Sequence, residues 1–137
     1  LMPLVEIVRG SHTSDETVAA TARLALRLGK TPVVVRDVAG FLVNRVLGPY
    51  LDEAVRLYEL GVAPAQIERA ALDFGLPMGP LELLDEVGLD VAAHAAQSLE
   101  AAYGERMKSS RLVAKLVACG LKGKKSGAGF FQYEPDP

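Results

Sequence analysis

Asp37–Gly61 reads DVAGFLVNRVLGPYLDEAVRLYELG, and the rest of the chain is organised around it. From Phe41 it reads as one long helix. Val43, Val46, Leu47, Tyr50, Leu51, Ala54, Val55 and Tyr58 recur at steps of three and four and make a wide apolar stripe. Phe41 and Leu42 widen the stripe in the first half, which therefore belongs inside a core or an interface. Gly48-Pro49 interrupts the pattern. Pro49 has no N–H for the Arg45 carbonyl, so a bend is predicted there. Asn44 is a poor interior helix residue unless its amide has a partner. It is therefore either a site residue at a bend of a buried helix or an amide satisfying a local carbonyl.

Composition bounds what surrounds this helix. The 137 residues suffice for one ordinary domain with its own core. Half are hydrophobic, 23% are charged and the net charge is −2, which excludes a disordered chain and implies no nucleic-acid partner. Aromatics at 6%, with no Trp, also argue against a base-stacking surface. The lone Cys119 has no disulfide partner and points to a reducing, cytoplasmic compartment. No apolar run reaches the length of a membrane span, and the N-terminus lacks the basic start of a signal peptide. The abrupt opening LMPLVEIV reads as a cut through a longer protein.

Upstream of the long helix, Leu4 to Val8 is an apolar run around Glu6 and is predicted to be a strand. Val5 and Ile7 would then share one face, with Glu6 on the other beside Leu4 and Val8. A carboxylate in that setting belongs to a sheet edge or to a site. Thr13-x-x-Glu16 has capping-box spacing and opens a helix to about Leu28, with Asp15 and Glu16 at its start, Arg23 and Arg27 toward its end, and Gly29 as its stop. Thr31 to Arg36, TPVVVR, is β-branched and reads as a second strand. Strand, capped helix and strand make the tail of an α/β unit.

Downstream the pattern is helical. Pro64 is placed as a first-turn proline, and Ile67, Ala70, Ala71 and Phe74 form a stripe that Gly75 ends. Pro77-Met78-Gly79-Pro80 is a rigid turn; Leu81, Leu84 and Val87 suggest a short helix. Asp90 can cap the next helix, to about Tyr103, and Arg111 to Ala118 is another. The chain then turns basic and glycine-rich, LKGKKSGAGFFQYE, before an extended FFQY. Lys122, Lys124 and Lys125 lack Walker-loop spacing and read as a solvated basic turn. His12 and His94 have no second ligand at metal spacing, so no metal site is expected. No GxSxG, CxxC or GxGxxG occurs.

LMPLVEIVRG, LGKTPVVVRDVAGFLVNRVLGPYLDEA, DFGLPMGPLELLDEVGLD and KKSGAGFFQY, in that order, closely resemble the 3-hydroxyacyl-CoA dehydrogenase family. The likeness is strongest to the dehydrogenase part of multifunctional fatty-acid β-oxidation α-subunits. It implies a mainly α fold, a helical bundle of the 6-phosphogluconate dehydrogenase C-terminal-like type, preceded by a short β-α-β remnant of a Rossmann domain. Residues 1–37 would be the tail of the NAD-binding domain and 38–137 the helical substrate and dimerisation domain. The implied reaction is reversible oxidation of an L-3-hydroxyacyl-CoA to the 3-ketoacyl-CoA, with NAD as cofactor of the full-length enzyme.

The resemblance also assigns residues. The family's catalytic His precedes its LMPLVE segment and would fall before residue 1. Its Glu partner falls on Glu6 and its site Asn on Asn44, giving Glu6 and Asn44 as catalytic residues. Met78, Gly79 and Pro80 would line the acyl side of the cleft, with a packing role as the alternative. The 137-residue piece alone is expected to bind no NAD, to be inactive, and to form a homodimer. Ala39 departs from the Pro usual before GF, and Ala128 from the basic residue common before the last GF. Two other readings stay open: a non-catalytic helical interaction module, and the second domain of another hydroxy-acid dehydrogenase.

Overall fold

The computed structural model describes residues 2–134. Strand β1 (Leu4–Arg9), helix α1 (Asp15–Arg27) and strand β2 (Thr31–Arg36) come first. Helices α2 (Val43–Glu59), α3 (Pro64–Phe74), α4 (Pro80–Val87), α5 (Leu89–Tyr103) and α6 (Leu112–Ala118) follow, with short 3-10 turns at Gly104–Met107 and Lys124–Ser126. They fall into two units, one ending at Arg45 and one starting at Val46. The mainly helical class and the short β-α-β start agree with the sequence reading.

In the first unit β1 and β2 pair in parallel, from Leu4 opposite Thr31 to Arg9 opposite Arg36. Parallel neighbours need a crossover, and α1 supplies it. Ile7 and Ala25 are the residues buried there. The cap of α1 differs from the expected box: Ser14, in extended backbone, accepts the Thr17 N–H at 3.2 Å. Thr13 is instead spent in a turn, its N–H donating to the Gly10 carbonyl. Gly29, at φ 70°, closes the helix in the left-handed region.

The second unit is built on the stripe of α2. Ala54, Val55, Ile67, Leu81, Leu84 and Leu89 form its core, with Leu51, Tyr58, Leu112, Val113 and Phe130 packed around them. Tyr58 meets Phe130 edge-on, with ring centroids 5.4 Å apart. A polar staple adds to this packing. Asp52 accepts the Ser110 N–H at 2.6 Å and the Arg56 Nε–H at 2.7 Å, while Ser110 Oγ donates to Glu59 at 2.7 Å. The loop before α6 is thereby fixed to α2.

Four expectations are corrected. Helix α2 starts at Val43, because Phe41 has φ 43° and lies in the turn before it. Its early face is not buried in this chain: Leu42 is 44% and Val46 67% exposed. Phe74 leaves the α3 stripe at 86% exposure, since Ile67 and Ala71 already fill the space facing the core. Helix α5 begins at Leu89 after Gly88, so Asp90 lies inside its first turn and accepts the Val91 N–H there. The terminal FFQY carries an isolated bridge from Gln132 to Ala128. Pro49 is accommodated within α2, and among the described residues no helix is long and apolar enough to cross a membrane.

Candidate functional site

The alternation of β1 puts Ile7 into the unit's interior and Glu6 on the opposite face. From there Glu6 reaches the start of α2. Its Oε1 accepts the Leu42 N–H at 2.7 Å and the Val43 N–H at 3.2 Å. These are amides that a helix cannot satisfy internally, and a carboxylate is the favoured partner at the positive end of the dipole. The turn that delivers them is Val38 to Phe41, closed by a Phe41 N–H to Val38 carbonyl bond of 3.0 Å. It needs positive φ at Gly40 (73°) and at Phe41 (43°). For Phe that conformation costs about 1–2 kcal/mol. A charge-assisted cap is worth about the same, so the clamp and the strain offset one another.

Asn44 follows Val43 directly and occupies the first turn of α2. Its side chain is exposed, which corrects the expectation of a buried amide. Because the helix starts at Val43, Asn44 lies ahead of the interior positions where an Asn would need a backbone partner. The structure thus brings the two sequence-derived site residues to one helix terminus, Glu6 through hydrogen bonds and Asn44 through the chain itself.

Met78, Gly79 and Pro80 form the start of α4. Gly79 and Pro80 are buried, and Met78 is half-buried. Here too a carboxylate comes from another element: Glu68 of α3 accepts the Leu81 N–H at 2.9 Å and lies 3.4 Å from the Glu82 nitrogen. Gly79 makes room for it, since a Cβ there would stand 1.8 Å from Glu68 Oε2. Burial pushes the Glu68 carboxyl above its ordinary range, against the lowering effect of the two amides. The Tyr50 hydroxyl is buried and has no hydrogen-bond partner among the described residues; burial and then the Glu68 charge push its pKa up. A cleft of ≈ 270 Å³ is lined by Glu68, Glu82, Phe131 and Tyr133.

The residue that sequence reasoning missed is Asp85, fully buried in α4. Its Oδ1 accepts the Phe130 N–H at 3.0 Å; its Oδ2 accepts the Phe131 N–H at 2.9 Å and the Tyr133 hydroxyl at 3.1 Å. Burial first, then the Asp85 charge, raises the Tyr133 pKa well above its ordinary value. The signal was present: an Asp set among Leu81, Leu83, Leu84 and Val87 on a short helix needs internal partners. The lysines of the basic turn are exposed, and two of them are also paired with carboxylates. Lys124 pairs with Glu86 at 2.5 Å and Lys125 pairs with Asp90. Among the described residues no group of three or more His, Cys, Asp or Glu is arranged to hold a metal ion.

Residues 40–133 match the family model described as the 3-hydroxyacyl-CoA dehydrogenase C-terminal domain, and residues 1–38 match that of its NAD binding domain. This chain belongs to the 3-hydroxyacyl-CoA dehydrogenase family. The 3-hydroxybutyryl-CoA dehydrogenase from Escherichia coli K12 is 41% identical, with a TM-score of 0.92, over 100% of this chain and 30% of that one. The (S)-3-hydroxybutyryl-CoA dehydrogenase from Ralstonia eutropha is 36% identical, TM-score 0.93, over 98% of this chain and 49% of that one. FadB2 from M. tuberculosis is 37% identical, TM-score 0.92, with coverages of 98% and 48%. This dehydrogenase-family chain therefore spans at most about half the length of these relatives.

The N-terminus of α1 does not fit the pyrophosphate of the NAD that the family implies. The turn from β1 to α1, Gly10 to Ser14, has no glycine fingerprint, and the N-terminus of α1 is already closed by the Ser14 hydroxyl. Asp15 and Glu16 in its first turn would repel a pyrophosphate.

Proposed function

We propose that this chain provides the substrate-side residues of an NAD-dependent L-3-hydroxyacyl-CoA dehydrogenase of fatty-acid β-oxidation, acting in the cytoplasm. The observation that carries the reading is the Glu6 carboxylate on the first amides of α2 with Asn44 as the next residue. Glu6 commits Oε1 to the helix, and Oε2 takes no hydrogen bond from the described residues. That second oxygen is the one that holds an imidazole N–H, fixes its tautomer and stabilises the imidazolium formed when the substrate hydroxyl gives up its proton. The imidazole belongs to a residue outside this chain. Asn44, exposed in the first helical turn, offers an uncharged N–H donor to the substrate oxygen as it passes between hydroxyl and carbonyl. Met78, half-buried in the turn before α4, is the best placed of the Met78-Gly79-Pro80 group to touch an acyl chain, because Gly79 and Pro80 are buried.

The reading includes a homodimer formed through α2. What supports it is apolar surface left open on that helix, with Val46 67% and Leu57 44% exposed. The free, exposed Cys119 is in keeping with a reducing compartment.

The test is NADH formation from (S)-3-hydroxybutyryl-CoA by the polypeptide that carries this chain. Glu6→Gln should lower turnover by roughly ten- to a thousandfold, the range for a lost acid–base partner. A wild-type protein that reduces no NAD with any 3-hydroxyacyl-CoA would defeat the reading.

A further inference from the structure

Asn44 and Glu6 are separated by 38 positions in the sequence, yet one hydrogen-bonded junction serves both. We infer that Glu6 is the positioning residue for Asn44: its Oε1 sets where α2 begins, and so sets where the Asn44 amide is presented to the acyl-CoA. This rests on the dehydrogenase reading for what Asn44 binds, and on geometry for how it is held.

Three observations lead to it. First, the clamp falls on Leu42 and Val43, the residues immediately before Asn44, so no flexible segment intervenes between the hydrogen bonds and the amide they place. Second, α2 has no local cap to do this job. Its flanking residues Gly40, Phe41 and Leu42 carry no side-chain oxygen, and an N-terminus without one leaves its first amides unsatisfied. Third, Phe41 holds a positive φ of 43° in the turn just before the clamp, a conformation that a non-glycine residue keeps only where its surroundings enforce it. Without the carboxylate the turn relaxes toward negative φ, the helix start frays or shifts, and Asn44 moves with it.

The two Glu6 oxygens then have separate duties, and substitutions separate them. Gln keeps an Oε1 acceptor for the two amides but loses the charge that orients an imidazole. Ala loses both. In the enzyme that carries this chain, Glu6→Gln should lower kcat while leaving KM for the acyl-CoA within about twofold. Glu6→Ala should raise KM by about tenfold as well, the scale of one lost hydrogen bond and as much as Asn44→Ala does. In the double variant Glu6→Ala with Asn44→Ala, the KM should be no higher than for Glu6→Ala alone, because residues acting as a unit are not additive. An unchanged KM in Glu6→Ala, or fully additive effects, would overturn the inference.

A second arm does not depend on activity. Amide hydrogen exchange on the 137-residue chain should show Leu42 and Val43 protected in wild type and in Glu6→Gln, and fast in Glu6→Ala. Unprotected amides in wild type reject the clamp even if the protein proves to be a dehydrogenase. Protection that follows the acceptor upholds the clamp even if the substrate assignment fails.

Discussion

The Tyr133 hydroxyl donates to the fully buried carboxylate of Asp85 at 3.1 Å, tying the end of the described chain to the middle of α4. The same carboxylate takes the Phe130 and Phe131 amides, so three donors depend on one side chain. Replacing it by Ala leaves three part-buried donors without this acceptor. Asp85→Ala should lose about 3 kcal/mol or more in a urea unfolding experiment. Tyr133→Phe, which removes one bond only, should lose about 1 kcal/mol. Equal losses for the two would contradict the hub role of Asp85.

Tyr133 also makes an alkaline prediction. Its pKa is raised in the folded state above the ordinary 10.0, chiefly by burial and then by Asp85. The neutral hydroxyl is what the fold prefers, so this stabilisation is complete below pH 10.0 and is lost as pH rises from there toward the folded pKa. Melting temperature should fall above that pH in wild type and fall less in Tyr133→Phe. Parallel curves would remove Tyr133 as the cause.

Glu68 gives a test on the acid side. Its carboxyl is also raised, mainly by burial, so its contribution is fully present below its unfolded value near 4.5 and declines as pH rises through the folded value. Gln keeps an oxygen for the Leu81 amide and carries no charge to desolvate. The stability of wild type relative to Glu68→Gln should therefore diminish from acid to neutral pH. Glu68→Ala, which removes the cap, should cost about 1 kcal/mol at acid pH and less at neutral pH. A wild-type advantage over Gln that grows with pH would reverse the assigned sign.

Gly123 and Gly61 share positive φ, 86° and 89°, but not their surroundings. A Cβ on Gly123 would lie 2.4 Å from the Asp85 carbonyl oxygen, whereas one on Gly61 meets nothing within 4 Å. Gly61→Ala should cost roughly 1 kcal/mol of backbone strain. Gly123→Ala adds displacement of the α4 backbone and should cost roughly 2–3 kcal/mol in the same denaturation assay.

Self-association is tested at Val46, 67% exposed. Light scattering should give a twofold mass for wild type and a monomer mass for Val46→Asp, with unchanged circular dichroism. Val55 is unsuitable for this purpose: at 2% exposure it is core, and a charge there would unfold the unit. A monomeric wild type at high concentration ends the dimer proposal.

Periodicity and punctuation made most of the fold legible. The strands either side of α1, the proline-started α3 ended by Gly75, and the short α4 follow local rules that act within a few residues. Glu6 was conspicuous as a carboxylate in an apolar strand, and Asn44 as an amide in an apolar helix. What escaped was long-range. The start of α2 depends on a backbone turn at Gly40-Phe41 and on a carboxylate from β1, and neither has a periodic signature. Asp85 was passed over because two of its three partners are backbone amides, those of Phe130 and Phe131, which any sequence would supply. Phe74 was assigned to the core on spacing alone, though spacing does not say how many members of a stripe the core can accommodate.

Helices α2 and α4 share a property with a kinetic side. The acceptors for their first amides come from Glu6, 36 positions before Leu42, and from Glu68, 13 positions before Leu81. Neither helix can complete its own start from neighbouring residues, and an eight-residue helix such as α4 is well below the length at which helices persist alone in water. Nucleation of both must therefore await a loop closure, that of β1 onto α2 and of α3 onto α4. Secondary and tertiary structure should appear together in refolding, with the Leu42 and Leu81 amides acquiring protection only as their distant carboxylates arrive.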